Sequence, residues 1–101
     1  MKSQFIIEGD VLKWPLRRLK NEIKKGMELQ VLAPQKGETV LKITYICNAR
    51  KNGMRLNQVA EPIIKALKGA AFNPRNRICE QQIIRKVDTE NPRTIIEVEV
   101  V

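Results

Sequence analysis

Hydrophobic and polar positions along the 101 residues change period several times. Gln4 to Gly9 (QFIIEG) is a short apolar run with β-branched residues, which reads as a first strand. Lys13-Trp14-Pro15 then opens a helix, with Pro15 suited to its first position and Gly26 suited to ending it. Leu16, Leu19 and Ile23 give that helix a narrow apolar edge. Met27, Leu29 and Val31 alternate with Glu28 and Gln30, the pattern of a half-buried strand. After the turn PQKGE, Leu41, Ile43, Tyr45 and Cys47 alternate with Lys42 and Thr44, so the two runs predict an antiparallel hairpin.

Leu56, Val59, Ala60, Ile63, Ile64 and Leu67 recur at helical spacing and predict a central helix. Asn57 can cap its start and Gly69 marks its end. Pro62 removes the amide that would bond back to Gln58, so the helix is expected to start late or kink there. Ile78 to Val87 reads as a strand, DTENP as a turn, and Thr94 to Val100 as an alternating strand closing a second hairpin. The expected order is β-α-β-β-α-β-β: one α+β domain, a mixed or antiparallel sheet with two helices packed on it.

Charge changes this picture most. There are 19 Lys and Arg against 11 Asp and Glu, a net charge of +8. A nucleic acid is the default partner of such a balance. The cations cluster: Lys13, Arg17, Arg18, Lys20, Lys24 and Lys25 make the first helix strongly basic. A helix of this kind pairs with successive phosphates, although a plain solvated face has the same composition. Trp14 suits either base stacking or a core anchor. A second group brackets the central helix, with Lys51, Arg55, Asn57 and Gln58 before or at its start and Arg75, Asn76 and Arg77 after it. Arginine favours bidentate contact with phosphate, and the amides add neutral hydrogen bonds.

Other chemistries are thin. The chain has no histidine, which removes histidine triads, bases and metal ligands. Cys47 and Cys79 give neither a disulfide framework nor a zinc spacing, and read as buried free thiols of a reducing, cytoplasmic setting. No run is long and apolar enough for a bilayer, so no membrane is expected as a partner, and the N-terminus does not read as a secretory signal. The acids are scattered. Asp10 and Asp88 sit in turn contexts, Glu97 and Glu99 share a strand face, and Glu61 and Glu80 are isolated, so no metal site or cofactor is expected.

Several of these stretches together resemble the RusA family of Holliday junction resolvases. The carriers are FIIEGDVLKWPLRR at the start, the strand KITYIC, and the helix ending Lys65-Ala66-Leu67-Lys68-Gly69. They continue in the loop Phe72 to Arg77, the strand reaching Arg85-Lys86, and Pro92-Arg93 before IIEVEV. The likeness covers most of the chain, with residues 19–40 shorter than is usual there. It implies a RusA-like fold, branched DNA as substrate, Mg²⁺ held by aspartates, and a homodimer.

The departures from that pattern bear on chemistry. Arg55 and Asn57 stand where the family has its two motif aspartates, Gln58 where it has asparagine, and Glu61 where it has lysine. The loop aspartates fall on Arg75 and Asn76. Arginine at such positions puts fixed positive charge where a divalent cation would sit, and suits a phosphate instead. The resemblance therefore implies a non-catalytic protein gripping branched or duplex DNA through backbone phosphates. Two alternatives stay open. One is a Mg²⁺-dependent junction endonuclease with carboxylates relocated to Glu61 and Glu80, with Asp10 as a further helper. The other is a module for an acidic protein partner.

Overall fold

The computed structural model describes residues 2–9, 11–47 and 56–101, with backbone alone at 56 and 57. Four strands make one mixed sheet: β1 (Lys2–Glu8), β2 (Thr39–Cys47), β3 (Ile78–Val87) and β4 (Arg93–Val100). Two helices, α1 (Leu16–Leu29) and α2 (Leu56–Leu67), cover one of its faces. The expected class, an α+β domain with two helices on a mixed sheet, is what the chain forms.

The order is β-α-β-α-β-β, one strand shorter than the periodicity suggests. The stretch Met27–Val31 is the last turn of α1 with its C-terminal cap, not a strand. Leu19, Ile23 and Met27 are spaced four apart and all buried, so the helical stripe continues where a short alternation also fits. Gly26 does not end the helix. It lies inside α1, against the ring of Phe5 from β1, and a Cβ there would lie 2.5 Å from Phe5 Cδ1. The real stop is one turn later. Val31 adopts the left-handed conformation (φ 54°), and the Leu32 amide donates to the Met27 carbonyl at 2.9 Å, closing the last turn. A glycine usually holds that position.

Neither predicted hairpin forms. The strand order is β1-β4-β2-β3, with β4 antiparallel to both β1 and β2 and β3 parallel to β2. The connection β2-α2-β3 is a helical crossover, which parallel neighbours require. The five residues 88–92 then step across the end of β2. They need to span about 10 Å, two strand spacings, and a five-residue link reaches up to about 17 Å. Asp88 folds this link: its Oδ1 accepts from the Glu90 and Asn91 amides and its Oδ2 from Arg93 Nη1 at 3.2 Å.

Alternation along the strands otherwise does what the sequence suggests. Phe5, Ile7, Leu41, Ile43, Tyr45, Cys47, Ile96, Val98 and Val100 point to the helices and are buried. From α2 the stripe Val59, Ala60, Ile63, Ala66 and Leu67 meets them, and Gly69 (φ 82°) ends the helix as expected. The helix runs from Leu56 without interruption through Pro62, so it does not start late, and Asn57 lies within its first turn rather than at its cap. Cys47 is buried, but Cys79 is exposed, against the expectation of two buried thiols. At the free margin of β1, Gln30 uses its side-chain amide like a strand, accepting from the Gln4 amide at 3.1 Å and donating to the Gln4 carbonyl at 2.9 Å.

Candidate nucleic-acid interface

Strand polarity sorts the candidate residues to two ends of the sheet. β1 and β2 end where α1 and α2 begin, so the two helices start at the same end and run back alongside one another. Lys13, Arg17 and Arg18 lie at that end, all exposed, and so do the first turn of α2 and exposed Gln58. Asn57 lies in that turn, though its side chain lies outside the described residues, as do Lys51 and Arg55 altogether. The first turn of each helix contains no acid, and the N-terminus of α1 has no side-chain cap. Two helix N-termini and a set of cations therefore add their positive potential at one end.

Arg75, Asn76 and Arg77 belong to the other end. A helix of 12 residues separates them from the start of α2, about 18 Å along the axis. The pairing of the two flanking loops, natural in sequence, is thus split by the helix between them. Asn76 is a strut. Its Oδ1 accepts from the Gly37 amide at 2.9 Å, and its Nδ2 donates to the Gln35 carbonyl at 2.8 Å and the Thr39 hydroxyl at 3.3 Å. The Arg75 and Arg77 side chains are exposed, while their backbones are fixed, Arg75 by Asn73 Oδ1 and Arg77 by the Thr39 amide.

On α1 the guanidinium of Arg18 lies 3.8 Å from the centre of the Trp14 ring. Trp14 is half-buried against the core, so it acts as an anchor that Arg18 covers, and stacking of a base there would first require Arg18 to move. The spacing of α1 gives one flank Arg17, Lys20 and Lys24, at i, i+3 and i+7. Lys20 and Lys24 extend the candidate set. The sequence shows them as part of a basic helix, but only a known buried edge separates this stripe from Lys25, which pairs with Glu22 at 3.7 Å.

The opposite sheet face has a different electrostatic character. Its outward positions carry four cations (Lys2, Lys42, Lys86, Arg93) and four acids (Glu8, Glu80, Glu97, Glu99), a balance of zero. The chain's excess of +8 therefore resides off this face, on the helices, the loops and Arg85 of β3. Glu80 projects from this open face, whereas Glu61 is on α2 behind the sheet, so the two carboxylates lie on opposite sides and do not converge. Asp10 lies outside the described residues. Among the described residues no group of three or more Cys, Asp or Glu stands close enough to share a metal ion. Nor is any helix among them long and apolar enough to cross a membrane. No protein-family model and no curated protein matches this chain.

Proposed function

We propose that this protein is a non-catalytic, cytoplasmic DNA-binding protein on a RusA-like scaffold that holds branched or duplex DNA by its backbone phosphates. The observation that carries this reading is that both helices start at one end of the sheet and neither holds an acid in its first turn. There Lys13, Arg17 and Arg18 stand beside two helix N-termini, in a chain whose open sheet face is neutral. Phosphates meet fixed cations and the positive ends of two helices there, an arrangement that favours anions and carries no base specificity. The elements β2, α2, β3 and β4 also follow one another in the order on which the likeness to the resolvases rests. Of the resolvase acidic positions, those before and at the start of α2 carry Arg55 and Asn57, side-chain types that favour an anion over Mg²⁺, whereas Arg75 and Asn76 belong to the other end and take no part in this grip.

The test is a gel-shift titration with a four-way junction and a plain duplex at rising salt. Each phosphate contact contributes about 0.9 to the slope of log affinity against log salt. The triple variant Lys13→Ala, Arg17→Ala, Arg18→Ala is expected to lower that slope by about 2 to 3 on both substrates. Absence of binding at low salt, or a slope unchanged in the triple variant, refutes the reading.

A further inference from the structure

The ten residues of β3 form one edge of the sheet, and among the described residues no strand lies beyond it. In a parallel ladder, alternate residues turn both backbone groups to the same neighbour. Two contacts fix which residues face β2. The Asp88 amide donates to the Cys47 carbonyl at 2.9 Å, and the Cys47 thiol donates to the Lys86 carbonyl at 3.4 Å. Beyond the register shift opposite Thr39 and Val40, the backbones of Glu80, Gln82, Ile84 and Lys86 therefore face β2. Those of Gln81, Ile83 and Val87 point the other way, out of the sheet edge.

The helix layer stops short of the same edge. Leu41, Ile43, Tyr45 and Cys47 of β2 are buried beneath it. Their neighbours on that face of β3 are Gln81, Ile83, Arg85 and Val87, of which Ile83 is half-buried and the others are exposed. Val87 leaves 49% of its surface in solvent. An added strand would complete the outward backbone bonds and lay its own alternate side chains against Ile83 and Val87.

Charge decides which strand fits. From Arg75 to Val87 the chain carries Arg75, Arg77, Arg85 and Lys86 against Glu80 alone, and all four cations are exposed. Two of them precede β3 and two lie near its end, so the edge is positive at both ends. That arrangement turns away a second copy. Antiparallel pairing of β3 with itself sets Arg77 of one chain near Lys86 of the other, like against like. A nucleic acid matches the charge, but its phosphates donate nothing to the outward carbonyls of a strand. An acidic polypeptide in extended form supplies both the charge and the ladder.

We infer that β3 is the docking edge for an extended, acidic segment of a different protein, which joins the four-stranded sheet as a further strand. This employs Arg75 and Arg77, which the phosphate-binding end leaves aside, and is independent of nucleic-acid binding.

Fluorescence anisotropy without nucleic acid tests it, titrating the full chain into a labelled peptide of alternating valine and threonine flanked at both ends by glutamates. Saturable binding is expected, and the same peptide flanked by lysines should bind on the order of 100-fold more weakly. Gln81→Pro removes an outward amide, a placement that proline tolerates at a sheet edge, so the circular dichroism spectrum should be kept while affinity falls about 10-fold or more. Arg75→Glu combined with Arg77→Glu should weaken binding on the order of 10-fold, and the loss should shrink at high salt. Hydrogen exchange on the native chain locates the contact without any variant. Peptide should slow exchange at Gln81, Ile83 and Val87 and leave Gln82 and Ile84, already bonded to β2, unchanged. No binding at millimolar peptide, equal affinity for the lysine-flanked peptide, unaltered affinity in Gln81→Pro, or protection of those three amides in the native chain by itself each overturn the inference.

Discussion

Gly26→Ala is a substitution whose sign the structure reverses. In an ordinary helix interior, replacing glycine by alanine gains about 1 kcal/mol. Here the new Cβ would stand 2.5 Å from Phe5 Cδ1 and 2.8 Å from Cε1, where carbon atoms rest about 3.5–4.0 Å apart. The ring must retreat by about 1 Å, yet Phe5 is buried between β1 and α1 and is no flexible chain end. Overpacking of this kind costs about 1–3 kcal/mol. The clash therefore cancels or outweighs the propensity gain, leaving Gly26→Ala neutral to about 2 kcal/mol less stable. Urea titration followed by circular dichroism measures this, with an unchanged m-value showing that stability alone has moved. The decisive arm is the double-mutant cycle with Phe5→Val, which removes the ring. In that background Gly26→Ala should stabilise, giving a coupling of about 1–3 kcal/mol. If Gly26→Ala stabilises the native background by the full helix-propensity amount, the contact with Phe5 does not hold the helix to the sheet.

Val31 carries a β-branched side chain in the left-handed region while 90% exposed. Val31→Gly relieves backbone strain of about 1–2 kcal/mol and loses almost no burial, but part of that gain is offset by the greater unfolded-state entropy of glycine. A net gain of about 0.5–1 kcal/mol is expected by thermal melting, and a loss refutes the reading. The Asp88 carboxyl is held below its ordinary value, first by the Glu90 amide, then by Arg93 and the Asn91 amide. A depressed carboxylate stabilises the fold above its unfolded value, about 3.9, and that contribution fades as pH falls through the folded value. Asp88→Asn should thus lower the melting temperature at pH 7 and narrow the gap to the native protein toward pH 2; a gap that is the same at both pH values refutes it.

Much of the architecture is legible in the sequence because burial follows period. The inward sets of β2 and β4 and the stripe of α2 emerge from alternation and helical spacing. Met27–Val31 does not, because Met27, the first of three alternating residues, also completes the i, i+4 series begun at Leu19 and Ile23, and the longer series decides. Gly26 illustrates a different limit. A glycine demanded by a neighbouring ring and one demanded by a helix end look alike until Phe5 is placed. The hairpins are absent for a topological reason: a short DTENP link suits both an adjacent strand and one stepping across β2, and only the partner strands decide between them. For the candidate site, the cationic character of α1 is plain in the sequence. Its division into flanks, and the separation of Arg75 and Arg77 from the start of α2, need the chain direction of each element.

The Gln30 amide along β1 has a consequence for how such molecules behave when crowded. A sheet whose two rims were both unoccupied could be lengthened without limit, strand upon strand, into fibres. Here the β1 rim is already engaged at Gln4 by a side chain of the same molecule, so a strand arriving there must first displace both bonds to Gln4. Strand addition is thereby steered to the β3 rim, and a reaction confined to one rim stops at a pair.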